Sequence, residues 1–169
     1  MQNDLSKILN RELKIGHKTI ANRLVMAPMS YLGHVAFREL LAHFDGYGLL
    51  FTEMCSAKRI PTENPQTSAF FKWRDAELPR LVCQIVGNDP EKMVVAAKRI
   101  QAEGFFGVDI NFGCATGPIC SHSGGAAVLK NPALAYKIVA SVRQAVTLPL
   151  FVKFRIGWQD NPENAAALA

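Results

Sequence analysis

Five apolar stretches without polar alternation recur along the chain: RLVMAPM (23–29), GLLFTEM (48–54), RLVCQIVG (80–87), FGVDIN (106–111) and LPLFVKFRI (148–156). A strand with one wet face alternates apolar and polar residues, so continuous runs imply strands covered on both faces, as in a parallel sheet. The segments between them supply the covers. VAFRELLAHF (35–44) sets Phe37, Leu40, Leu41 and Phe44 on one helical face. Asn88-Asp89-Pro90 opens a second helix, with Asp89 as N-cap and Pro90 in its first turn, and Met93, Ala97 and Ile100 follow at helical spacing up to a stop at Gly104. Asn131-Pro132 opens a third, carrying Leu134, Ile138 and Val142.

The fold class is therefore α/β. No G-x-G-x-x-G follows the first strand, which removes the main support for an open dinucleotide-binding sheet and favours a (β/α)8 barrel of the TIM type. Only about the first five strands are accounted for, and Asn161-Pro162-Glu163 reads as the start of a further helix just before the last residue, Ala169. The chain is expected to be the N-terminal part of such a barrel, cut short and with two raw sheet edges.

Other classes are disfavoured. No uncharged apolar run approaches the roughly 18 residues that cross a bilayer, and Asp4 sits where a secretory signal would be apolar. Cytoplasmic residence is expected. The four cysteines form no C-x-x-C pair and are expected to be reduced. A net charge of +5 comes without any Lys/Arg run, so charge alone does not name a partner.

In β/α barrels the chemistry lies at the C-terminal ends of the strands. There the chain places Pro28, Met29 and Ser30 after strand one, Glu53 in strand two, Gln84 in strand three, Asn111 and Cys114 after strand four, and Lys153 and Arg155 in strand five. Gln84 and Lys153 lie inside apolar runs, where an unpaired amide costs about 2–7 kcal/mol; a ligand or an internal partner must satisfy them. A Glu53–Lys153 ion pair is the structural alternative. Cys114 lies in DINFGCATGPICSHSGG (109–125), in a Gly-rich turn behind a strand. It is a small buried hydrophobe, a metal ligand with Cys120 and His122, or a reactive thiol at the barrel mouth. No common zinc spacing is matched, and no metal is expected. A thiol ordinarily titrates near about 8.5, so it can give a proton or, if activated, attack. Gly124-Gly125 serves a turn or, less specifically, a phosphate.

NRLVMAPMSYLGHVAFREL, FTEM, LVCQIVGNDPEKMVVAA, GFFGVDINFGCATGPICSHSGGAAVLKNPAL and PLFVKFRIGW, in this order, resemble the flavin-containing tRNA-dihydrouridine synthases over 15–158. The resemblance implies FMN held by Pro28, Met29, Ser30, Gln84 and Lys153, and Asn111 against the base. It makes Cys114 the general acid in the reduction of a tRNA uridine, with NADPH as electron donor. It also implies a helical tRNA-binding domain beyond the barrel. Ala115 and Gly33-His34 depart from the family's usual proline and Thr-Asp. Other FMN barrels acting on small molecules, of the old-yellow-enzyme or dihydroorotate-dehydrogenase kind, and an inactive truncated product are the competing readings.

Overall fold

The computed structural model describes residues 2–158 together with 166, 167 and 169; the helix start expected at Asn161 lies outside them. The polar lead-in holds more structure than the sequence pattern suggests. A helix α1 (Gln2–Leu9) precedes an antiparallel hairpin of β1 (Leu13–Ile15) and β2 (Lys18–Ile20), turned at Gly16 with φ 61°. Three-residue strands give no readable periodicity, which is why the sequence hides them.

The main sheet is parallel. Its strands are β3 (Leu50–Phe51), β4 (Cys55–Ser56), β5 (Leu81–Val86), β6 (Gly107–Phe112) and β7 (Leu150–Phe154), in the order β3-β5-β6-β7 with β4 also on β5. Strand positions are added in chain order with no reversal, as in a barrel and unlike a doubly wound sheet. The first predicted strand is reduced to a single parallel bridge, Val25 to Leu49, flanked by the Met26 N–H donating to Leu49 O at 3.0 Å. The second is split in two. Phe51 pairs with Val82 and Cys55 with Ile85, so three residues (52–54) face two (83–84), the count of a β-bulge. Thr52 explains the break, because its hydroxyl accepts the Gln84 N–H (3.0 Å) and donates to Glu53 O (2.7 Å).

The remaining α-helices are α2 (Val35–Phe44), α3 (Pro90–Ala102), the short α4 (Gly117–Ser121) and α5 (Pro132–Ala145), with three 3-10 turns between elements. Two caps act as the sequence implies. Asp89 Oδ1 accepts from the N–H of Glu91 (3.0 Å) and Lys92 (3.3 Å), and Asn131 Oδ1 from that of Leu134 (3.1 Å). Helix α3 is followed by Gly104 at φ 87°, two residues past its end, and buries Met93, Ala96, Ala97 and Ile100. Helix α5 buries Ala135, Ile138 and Val142. Both pack on the outer face of the sheet, against Cys83, Ile85, Val108 and Ile110. Inside the arc, a separate cluster of Ile20, Leu49, Phe51, Val82 and Phe106 fills the N-terminal end, joined by Ile15 and Phe151. The hairpin closes that end, with Lys18 Nζ donating to Phe106 O at 3.0 Å.

Helix α2 departs from expectation. Its apolar stripe is only partly covered: Phe37 and Leu41 are half-buried, while Leu40 is 52% and Phe44 78% exposed. What it buries is Arg38, 1% exposed, whose guanidinium donates to Glu77 Oε1 (2.9 Å), Glu77 Oε2 (3.2 Å), Lys72 O (2.8 Å) and Gly33 O (2.5 Å). Glu77 belongs to a 3-10 turn, Asp75–Arg80, that leads directly into β5. One cation thus ties helix, turn and the first strand-end loop together. Removing one member of such a pair strands a buried charge and costs about 3–5 kcal/mol. Glu77→Ala should therefore lower the unfolding free energy in urea by about 3–5 kcal/mol, with Arg38→Met/Glu77→Leu recovering most of it. A loss under about 1 kcal/mol in the single variant would show that the pair is solvated.

Candidate active site

The parallel register decides what lies inside the strand ends. Gln84 on β5 is paired with Asp109 on β6, and Asn111 on β6 with Lys153 on β7. Residues two apart share a face. Gln84, Asp109 and Asn111 therefore form one polar row above the apolar cluster, and all three are buried.

The row is bonded side chain to side chain. Gln84 Nε2 donates to Asp109 Oδ2 at 2.5 Å, and Asn111 Nδ2 donates to Gln84 Oε1 at 2.9 Å. Asn111 Oδ1 then accepts the backbone N–H of Gly113 (3.0 Å) and of Cys114 (2.8 Å). So Gln84 has internal partners. It keeps one unused N–H, since an amide nitrogen carries two. Burial pushes Asp109 from the ordinary 3.8 up to about 6, against the pull of the Gln84 hydrogen bond and the Lys153 charge.

Cys114 sits at the head of the loop that this row holds. Its thiol is half-buried and lies 3.3 Å from Thr116 Oγ1, while its carbonyl accepts the Ala126 N–H at 2.8 Å. Gly125 explains the Gly-Gly pair: at φ 56°, a Cβ there would stand 2.4 Å from Cys114 O. That glycine serves backbone packing against the Cys114 peptide. Cys120 Sγ is 3.7 Å from the same carbonyl, and all four cysteines are free. His122 Nδ1 lies 2.8 Å from Pro118 O. Among the described residues, no group of three His, Cys, Asp or Glu side chains is placed to hold a metal ion.

Pro28, Met29 and Ser30 occupy the loop after the first strand position, Pro28 half-buried and the other two exposed. Met29 O accepts the Gly33 N–H at 2.8 Å. Tyr31, at φ 65°, donates its N–H to Glu53 Oε1 at 2.5 Å. Glu53 is buried at the bulge and anchors this loop. It forms no ion pair with Lys153 among the described residues. Lys153 is also exposed, contrary to its apolar context: among the described residues β7 pairs with β6 alone, so no strand flanks it on its other side. Its ammonium lies beside the Cys114 loop, 3.6 Å from where a Cβ on Gly113 would be. Arg155 is exposed. Gln84, Asn111, Lys153 and Cys114 are thus brought together, with Pro28–Ser30 reached through Glu53. Asp109 was not singled out by the sequence; its period-two spacing from Asn111 within a strand was the available signal.

Keeping Asp109 ionised while buried has a measurable cost. Its folded pKa lies above its unfolded one, so the folded chain takes up the proton first and stability rises as pH falls from about 6 to 3.8. At about 1.4 kcal/mol per pH unit, the parent should gain about 3 kcal/mol over Asp109→Asn between pH 7.5 and 3.5. Urea titrations of both chains across that range measure it, and a constant difference would contradict the assignment.

A model of the family described as "Dihydrouridine synthase (Dus)" matches residues 25–169. A probable tRNA-dihydrouridine synthase of Rickettsia conorii is 33% identical over 157 residues, covering 93% of this chain and 47% of that one. The tRNA-dihydrouridine synthase B of Pseudomonas aeruginosa is 32% identical, again over 93% of this chain and 47% of its own. The chain thus spans about half the length of the curated relatives it matches. In backbone it resembles the 6-hydroxypseudooxynicotine amine oxidase of Pseudomonas geniculata N1, with a TM-score of 0.64 over 96% of this chain and 36% of that one at 14% identity. Histamine dehydrogenase from Rhizobium sp. 4-9 gives a TM-score of 0.59 over 88% of this chain and 32% of its own at 16% identity. At such identities the likeness speaks for the barrel-type fold alone. The sequence match over residues 25–169 goes further: with its strand-end row and loop thiol in place, the chain belongs to the dihydrouridine synthase family.

Proposed function

We propose that this chain is the part of a tRNA-dihydrouridine synthase that carries the flavin and the proton donor, reducing a uridine of tRNA in the cytoplasm with NADPH as electron source. The observation that carries the reading is a thiol fixed by its backbone, with its side chain left at the mouth of the strand ends. The relatives' names supply the substrate class.

The donors present fit FMN. A fused ring with carbonyl oxygens asks for N–H donors along one edge, and Gln84 retains an unused N–H while Lys153 presents an exposed ammonium beside the same loop. Pro28, Met29 and Ser30 would bound the ring from the first strand's loop. When bound and reduced, FMN supplies hydride to C6 of the uracil. Cys114 would hold the proton for C5, a task that needs a neutral thiol and neither metal nor thiolate. Asn111 has three of its bonds committed within the chain, and its remaining N–H is what it can offer to the base. A uridine in folded tRNA must be swung out to reach such a site. The other barrel strands and the helical tRNA-binding domain would come from sequence that the relatives have outside the matched half.

The test joins this chain to the unmatched half of a relative and follows flavin absorbance. Cys114→Ala should leave reduction by NADPH unchanged and slow reoxidation by unmodified tRNA by roughly 10²–10⁴-fold, the usual contribution of a general acid. Equal reoxidation rates would return Cys114 to a packing role. In the same protein Lys153→Ala should copurify with little flavin; a full complement would remove Lys153 from the flavin site.

A further inference from the structure

The side-chain row has a direction. At one end Asp109, when ionised, can only accept hydrogen bonds; at the other the backbone N–H groups of Gly113 and Cys114 can only donate. Two amides lie between, and each could be turned either way. Only one arrangement satisfies both ends: Gln84 donates to Asp109 and accepts from Asn111, and Asn111 accepts from the loop. The observed bonds follow this order at 2.5, 2.9, 3.0 and 2.8 Å.

We propose that Asp109 is a positioning residue: by accepting from Gln84 it fixes the polarity of the Gln84–Asn111 relay and so holds the loop that presents the Cys114 thiol. Turned the other way, Gln84 would set oxygen against oxygen at Asp109 and nitrogen against nitrogen at Asn111. Asn111 would then have to choose between a clash of donors and turning its own oxygen away from the loop. Buried polar networks are costly when half satisfied, so the choice is enforced rather than averaged. Asp109 is 1% exposed, and the Cys114 thiol contacts Thr116 Oγ1 instead, so Asp109 reaches the loop through the relay. Besides burial, Gln84 from β5 and Lys153 from β7 bear on its protonation, Lys153 through both its charge and its backbone N–H, and all three interactions favour the carboxylate.

The inference rests on the proposed role of Cys114 only for its catalytic consequence. Its readout is backbone amide exchange in the full chain, corrected for intrinsic rates, which needs neither flavin nor tRNA and stands or falls apart from the enzymatic assay. In Asp109→Asn both orientations of Gln84 become possible. Exchange at Gly113 and Cys114 should accelerate at least tenfold, while the ladder amides of Val108 and Ile110 keep their protection. The double variant Asp109→Asn/Gln84→Glu restores an acceptor-only group facing Asn111 and should return both loop amides to the parental rate. No acceleration in the single variant, equal acceleration throughout β6, or no recovery in the double variant would each overturn the proposal.

A second arm needs no substitution. Between pH 7.5 and 5 the Asp109 carboxyl takes up its proton and acquires a donor, so the loop amides should lose protection in the parent while Val108 and Ile110 do not. A merely structural acid would do the reverse, since its protonation stabilises the fold. Unchanged protection of the loop at pH 5 would overturn the proposal even if the variants fail to fold.

Discussion

The pairing of β5 with β6 in one register is the constraint on which the site depends. With Gln84 opposite Asp109, the residues Val82, Gln84, Asp109 and Asn111 share the inner face, and Cys83, Ile85, Val108 and Ile110 the outer. A slip of one residue would exchange the faces. It would drive an amide and a carboxylate under α3 and α5, into an outer core that holds no partner for them, and would expose isoleucine at the mouth. The apolar outer layer therefore does more than stabilise. By being unable to accept polar groups, it fixes which residues can reach the site.

A second constraint aims the first-strand loop. The bulge at 52–54 interrupts the ladder where Thr52 substitutes its hydroxyl for a backbone partner, and this leaves Glu53 buried with a free carboxylate oxygen for the Tyr31 N–H. The Arg38 guanidinium holds the far end of the same loop through Gly33 O while pairing with Glu77 at the entrance to β5. Two buried charges of opposite sign thus position one loop from either end. Neither need touch a ligand, and a β-bulge beside a site that must re-aim its side chains is a recurrent arrangement.

Periodicity made the large elements legible. The helices at α2, α3 and α5 begin at their capping residues, and the strands β5, β6 and β7 lie within the continuous apolar runs. The barrel-type order followed from those runs and the missing dinucleotide motif. Three things escaped. The β1–β2 hairpin has too few residues to show a period, and the bulge at 52–54 depends on a hydroxyl replacing a ladder bond across thirty residues of sequence. The burial of Arg38 beside an exposed Leu40 and Phe44 departs from ordinary amphipathic logic, because the helix is held by a charge pair as well as by the half-buried Leu41. At the site, Gln84 and Asn111 were legible as polar residues in or behind apolar strands. Their connection through Asp109 was not, since spacing alone cannot say which buried polar groups satisfy one another. Lys153 misled for a related reason: an apolar run implies burial only if another strand covers it.

The proton donor proposed for this site, Cys114, is placed through its backbone. Cys114 is gripped at both ends of its own peptide, its N–H by Asn111 and its carbonyl by Ala126, and Gly125 is a glycine so that this carbonyl can approach. The thiol makes only a neutral contact, with Thr116 Oγ1. A side chain bonded to a strong base would already have surrendered its proton, and one on an unanchored loop would have to be ordered at the moment of reaction. Fixing the backbone and leaving the sulfur uncommitted avoids both. The loop's rigidity is therefore supplied by groups that never meet the thiol.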